Sequence, residues 1–166
     1  MNASIIDLEG ATYAWPGQPT LLNIPQFQLM AGERIFLKGP SGSGKPTLLG
    51  LLGGVYLPDS GRITLLGKNM ADMSAARRDR FRADHTGYIF QMFNLLPYLS
   101  VVENVTLPCH FSRVRRDRAL QRHDSLPSAA LHLLHSLGLS DDALLERSVN
   151  ELSIGQQQRV AAARAL

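Results

Sequence analysis

Apolar and polar residues alternate at Ile5, Ile6 and Leu8, again around Phe27 and Leu29, and again over Ile35 to Leu37 behind the turn Ala31-Gly32-Glu33. A period of two with tight turns between predicts short strands, and Gly61 to Leu65 reads the same way. The segment Ile35 to Lys38 differs from the others. It runs straight into glycines and then into Leu48, Leu49, Leu51 and Leu52, which have helical spacing, so the expected order is buried strand, loop, helix. From Ser100 onward the pattern turns helical. Ser100-Val101-Val102-Glu103 matches a capping box, in which serine and glutamate satisfy each other's orphan backbone donors. Pro127, then Leu131, Leu134 and Leu137, then Gly138 mark a second helix with a proline start and a glycine stop. Between them Arg113 to Ser125 is polar and expected to be exposed. Ile154 to Leu166 is alanine-rich and proline-free, a good helix by propensity. Neither an internal repeat nor a low-complexity tract interrupts these segments.

With 166 residues, 45% hydrophobic and 19% charged, the chain suits one ordinary domain with a sizeable core. Its longest apolar run, Leu48 to Leu57, is broken by glycines and falls far short of the ~20 residues a spanning helix needs. Met1 to Gly10 carries Asp7 and Glu9 and lacks the basic start of a secretory signal, so a cytoplasmic address is expected. Cys109 is the single cysteine, which rules out an internal disulfide and suits a small filler. The net charge of +3 raises the question of nucleic acid. However, the arginine groups Arg77 to Arg82 and Arg113 to Arg122 are interleaved with Asp79, Asp84, Asp117 and Asp124. Solvated helix faces account for them, and no nucleic-acid partner is expected.

Gly39-Pro40-Ser41-Gly42-Ser43-Gly44-Lys45 stands between the expected strand and the helix, where a phosphate cradle belongs. Glycines let the backbone curl around phosphates, the following helix offers its positive end, and Lys45 would neutralise the β- and γ-phosphates. A glycine-rich turn before a helix is the bland alternative, and it does not explain the lysine. The complete motif asks next for serine or threonine to place a hydroxyl on Mg²⁺, and this chain has Pro46. Proline is tolerated in a first helical turn, but it brings neither hydroxyl nor N–H. Thr47 points about 100° away along a helix and is not a simple substitute.

Leu152-Ser153-Ile154-Gly155-Gln156-Gln157-Gln158-Arg159-Val160 resembles the signature of ATP-binding cassette (ABC) transporter ATPases, and with the upstream phosphate loop most of the chain is similar to that family motif by motif. Ser153 and Gln156 form a second capping-box pattern at a helix start able to receive an anion. Ile154 departs from the signature, replacing the first glycine of a pair. The resemblance implies an α/β P-loop NTPase with a three-layer core, an N-terminal antiparallel β subdomain and a helical subdomain. Residues 1–90 would form the β subdomain and phosphate-loop part of the core, 91–151 the Q-loop and helical subdomain, and 152–166 the signature and its helix. It further implies that Trp15, in Tyr13-Ala14-Trp15-Pro16-Gly17, stacks on adenine. ATP would lie on Gly39 to Thr47, and Ser153, Gly155 and Gln156 would contact the γ-phosphate held by a second ABC ATPase subunit. Gln91, at a strand end directly after the apolar run Tyr88-Ile89-Phe90, would reach Mg²⁺ and the attacking water, and Phe93 to Leu99 would line a groove for a transmembrane permease. The look of these motifs is nearest the branch serving lipoprotein release and macrolide export, on the cytoplasmic face of the cell membrane.

In this family the signature helix leads into a strand ending in Asp-Glu and later to a switch histidine, positions this sequence does not contain. By the resemblance, the chain is truncated before Walker B, and negligible ATP turnover is expected of it alone. Two other readings stay open at this point. One is a nucleotide-binding or permease-docking fragment that hydrolyses nothing. The other is a DNA-repair ABC ATPase, which usually carries coiled-coil or zinc insertions between these motifs; Val55 to Asn150 shows neither heptads nor cysteine pairs.

Overall fold

The N-terminal alternation folds into strands β1 (Ser4–Ala14) and β2 (Thr20–Met30), paired antiparallel with Leu8 opposite Phe27 and Tyr13 opposite Leu22. The computed structural model describes residues 4–140 and 147–166. Two further strands, β3 (Ser60–Leu65) and β4 (Lys68–Asn69), complete a four-stranded antiparallel sheet of order β2-β1-β3-β4. Pro25 lies in β2, an edge strand, where a missing N–H interrupts no interior ladder. Gly61 has φ +80°, and a Cβ there would stand 2.2 Å from the Gly10 carbonyl oxygen, so β1 and β3 approach closely only because that residue is glycine. One face of the sheet buries Leu8, Ala11, Ile63 and Leu65, and Leu51 and Met70 are fully buried in the same unit. Leu51 belongs to helix α1 (Lys45–Leu52), which contacts β3.

The chain divides into two compact units, Met1–Asp79 and Arg80–Leu166, with the break inside helix α2 (Ala75–His85). The second unit is helical: α3 (Val101–Phe111), α4 (Arg113–Leu120), α5 (Leu126–Ser136) and α6 (Ile154–Ala165). Val101, Val105, Ala130, Leu134, Leu139, Val149, Leu152, Val160 and Ala163 pack as its core. The expected punctuation is in place. Ser100 and Glu103 form the capping box of α3, with Ser100 N–H donating to Glu103 Oε2 at 2.8 Å. Ser125 caps α5, Pro127 lies in its first turn, and Gly138 follows its end at φ +78°. Asn104, fully buried, donates to the carbonyls of Leu96, Leu99 and Ser100 and accepts from Leu96 N–H at 2.8 Å, tying the preceding loop to α3.

Two expectations need correction. Ile35 to Lys38 is not a buried strand: residues 33–40 lie in neither strand nor helix, and Ile35 and Phe36 are 52% and 89% exposed. Tyr88-Ile89-Phe90 is likewise outside any strand, so Gln91 follows irregular backbone rather than a strand end. A strand exists only with a ladder partner, and among the described residues the four antiparallel strands pair with one another and leave none for these two apolar runs. The polar stretch from Arg113 to Ser125 is largely exposed, as expected, and its first part forms helix α4. Ser112 caps α4, and the half-buried Arg115 donates to the carbonyls of Ala83, Thr86 and Ala165. Five donors in a rigid fork suit one guanidinium to three backbone acceptors. Cys109 is half-buried; burial pushes its thiol pKa up against the pull of Arg115 and Arg116, in keeping with a filler. No helix among the described residues is long and apolar enough to cross a membrane.

Candidate nucleotide site

The glycine-rich loop runs directly into α1. Gly42 and Gly44 adopt φ +79° and +81°, a region L side chains rarely enter, and Gly44 is the N-cap residue of the helix. An added Cβ on Gly39 would meet Ser43 Oγ at 2.8 Å, so the loop closes on itself at that point. No side chain caps α1, which leaves its first-turn donors to an external partner. Lys45 Nζ folds back and donates to the carbonyl oxygens of Gly39 and Pro40, both at 2.7 Å. The ammonium is therefore held over the loop, with no carboxylate partner among the described residues, and is available to an anion that displaces those carbonyls.

Pro46 is exposed in the first turn of α1, and Thr47 is buried. A buried hydroxyl one residue further on does not offer the ligand that Pro46 lacks, so the residues present do not fit a conventional Mg²⁺ site on this loop. The triphosphate is a different matter. The curled loop, the uncapped helix start and the lysine are the parts that anion binding asks for.

In the same unit Trp15 sits on the turn between β1 and β2, with its carbonyl accepting from Gln18 N–H at 2.9 Å, and it is 38% exposed. Tyr13 and Tyr56 approach the indole at centroid distances of 5.3 Å, at 89° and 76°. Both pairs are edge contacts, so neither ring lies parallel on the indole. Tyr13 is buried in the core of the first unit. Nothing in the sequence marks Tyr56, because its ring partners, Tyr13 and Trp15, lie some forty residues away.

In the helical unit Ser153 caps α6 through the second expected capping box: Gln156 N–H donates to Ser153 Oγ at 3.3 Å, and Ser153 N–H to Gln156 Oε1 at 2.8 Å. Ile154 is 76% exposed and points away from the core. Among the described residues nothing outside its own helix stands within 4 Å of a Cβ built on Gly155, and its φ is not left-handed, so packing among them does not require glycine there. Gln91 begins a turn whose later residues Phe93 and Asn94 are left-handed, at φ 59° and 48°. Arg164, from the far end of α6, donates to the carbonyls of Phe93 and Asn94 and pins that conformation. Burial lowers its pKa from the ordinary guanidinium value. Arg164 was missed from sequence because its partners are backbone atoms some seventy residues away. Beside this turn is a groove of about 370 Å³ lined by Phe90, Asn94, Leu96, Leu107, Phe111 and Arg164, among others.

A family model described as "ABC transporter" matches residues 22–166. The lipoprotein-releasing system ATP-binding protein LolD of Chromohalobacter salexigens is 37% identical over 99% of this chain and 67% of its own length. The macrolide export ATP-binding/permease protein MacB of Pasteurella multocida is 35% identical over the whole of this chain, which spans only 25% of that protein. Among solved structures, the dimeric post-hydrolysis state of the ATP-binding cassette MJ0796, bound to ADP and Pi, superposes with a TM-score of 0.74 at 32% identity. That match covers 97% of this chain and 68% of the other. The chain thus spans about two thirds of LolD and about a quarter of MacB. Given the family match and these relatives, the chain belongs to the ABC transporter family as an ATP-binding cassette ATPase domain with the α/β P-loop fold, related to the LolD and MacB proteins.

Proposed function

We propose that this chain supplies ATP-binding residues of an ABC exporter, holding the triphosphate on Gly39 to Thr47 and the adenine on Trp15. The observation that carries this reading is the uncapped start of α1 behind two left-handed glycines, with the Lys45 ammonium held over the loop at 2.7 Å from two carbonyls. Ser153, Gly155 and Gln156 would meet the γ-phosphate bound by a second cassette. A glycine in a helix costs about 1 kcal/mol relative to alanine. Among the described residues nothing outside its own helix stands within 4 Å of a Cβ built on Gly155, and this open space supports close approach by an external group. Gln91 and the groove beside its turn would face a membrane permease at the cytoplasmic surface, with Arg164 setting the turn. By relationship to LolD and MacB, the cargo class would be a lipoprotein or a macrolide-like molecule.

A second reading is favoured by one observation. Pro46 has no hydroxyl and Thr47 is buried, so nucleotide would bind with little dependence on Mg²⁺ and hydrolysis would be slow or absent. Calorimetric titration of ATP, with and without Mg²⁺, into this chain and into Pro46→Ser separates the two. Weak, Mg²⁺-indifferent binding that becomes Mg²⁺-dependent in Pro46→Ser supports the loop as the site and the proline as the lesion. Mg²⁺-dependent binding already present in the unaltered chain would remove the second reading.

A further inference from the structure

Three aromatic rings meet against the helix that follows the phosphate loop, and one of them, Tyr56, has no role in the reading above. Its ring lies 5.3 Å from Trp15 and 5.5 Å from Tyr13, centroid to centroid. It also lies against α1. A Cβ built on Gly50 would stand 2.3 and 2.5 Å from Tyr56 Cε2 and Cδ2, so the ring occupies the space that any side chain at position 50 would fill. The backbone directs it there. After α1 ends at Gly53, Gly54 turns left-handed at φ +70°, and the N–H groups of Val55 and Tyr56 both donate to the Gly50 carbonyl, at 2.8 and 3.2 Å. The ring thus touches the helix that starts at the phosphate loop on one side and the half-exposed indole on the other.

We propose that Tyr56, seated on Gly50 of α1, is a positioning residue for the nucleotide base: it fixes the Trp15 ring in register with the phosphate loop so that a planar purine can stack on the indole. The proposal rests on the reading of Trp15 and the glycine loop as the ATP site. An indole on an exposed turn has rotamer freedom that must be lost before a base can stack on it, and a neighbour that has already restricted it removes part of that cost. Edge contact from Tyr56, at 76°, restrains the indole without covering it with a parallel ring. The seat on α1 gives the restraint its reference, because the same helix sets where the phosphates lie. Tyr56 therefore acts on base-containing ligands and not on phosphate alone.

Trp15 is the only tryptophan, so intrinsic fluorescence reports on this ring without ambiguity. ATP and inorganic tripolyphosphate are titrated into the unaltered chain, Tyr56→Ala, Tyr56→Phe and Gly50→Ala, with calorimetry of Trp15→Ala alongside. Tyr56→Ala is expected to weaken ATP about threefold to tenfold, to leave tripolyphosphate unchanged, and to shift the emission of the free protein. Phenylalanine at 56 restores ATP affinity, and Gly50→Ala, which displaces the ring, mimics the loss. Equal weakening of both ligands by Tyr56→Ala would mean the ring only supports α1, which overturns the proposal. Unchanged ATP affinity in Tyr56→Ala, with a loss in Trp15→Ala, would overturn it too while leaving the base platform intact. If Trp15→Ala itself leaves the preference for ATP over tripolyphosphate unchanged, the underlying reading of the indole fails, and this one with it.

Discussion

The starts of α1 and α6 are both expected to face phosphate, yet they are built in opposite ways. At α1 the residue before the helix is a left-handed glycine, no side chain caps the first turn, and Lys45 in that turn bonds to the loop carbonyls of Gly39 and Pro40. At α6, Ser153 and Gln156 satisfy two backbone donors between them before any ligand arrives. The first is an open receptor; the second is complete in itself and must exchange internal bonds for external ones. The difference accounts for where glycine is required for conformation. Gly44 is fixed by φ and by Leu22 at 3.0 Å from a built Cβ, whereas Gly155 has neither constraint among the described residues.

The comparison breaks most sharply at Gly44. Gly44→Ala forces an L side chain to φ +81° against Leu22 and should destabilise the first unit by about 1–2 kcal/mol, together with a loss of ATP affinity, read by thermal melting and titration. An unchanged melt would mean that the left-handed cap is not needed. Ser153→Ala removes the cap of α6 and should cost about 1 kcal/mol in the helical unit, with tripolyphosphate binding at the glycine loop unaltered. The smallest effect separates the two capping boxes of the helical unit by pH. At α3 the partner is Glu103, whose pKa is lowered chiefly by the Ser100 backbone N–H and then by the Ser100 side chain. Its contribution is fully present above the unfolded glutamate pKa and is lost as pH falls through the lower folded value. At α6 the partner, Gln156, does not titrate. Acid titration followed by circular dichroism should therefore show a carboxylate step that Glu103→Gln abolishes and Ser153→Ala leaves in place.

Both capping boxes, the proline start and glycine stop of α5, and the strands around Leu8 and Ile63 were legible in the sequence because each depends on residues a few positions apart. The strands expected at Ile35 to Lys38 and at Tyr88 to Phe90 were not correctly read. Their apolar composition is that of a buried strand, but a strand is a property of two segments, and composition says nothing of the second. Arg115, Arg164 and Asn104 were illegible for a related reason, since each bonds to backbone carbonyls, which every residue possesses. The glycine loop was readable as a motif. That Lys45 would fold onto Gly39 and Pro40, and that Tyr56 would take the space above Gly50, required the fold.

The most direct test is calorimetric titration of ATP into the unaltered chain and into Lys45→Ala, both in chelator so that Pro46 does not enter. An account in which the open start of α1 is the nucleotide site predicts saturable binding at one site in the unaltered chain. It also predicts a loss of about tenfold to a hundredfold in Lys45→Ala, the range for removing a charge-assisted contact of ~1.5–3 kcal/mol. Equal affinities in the two proteins, or no binding in a chain whose circular dichroism shows α1 and its neighbours folded, would contradict it.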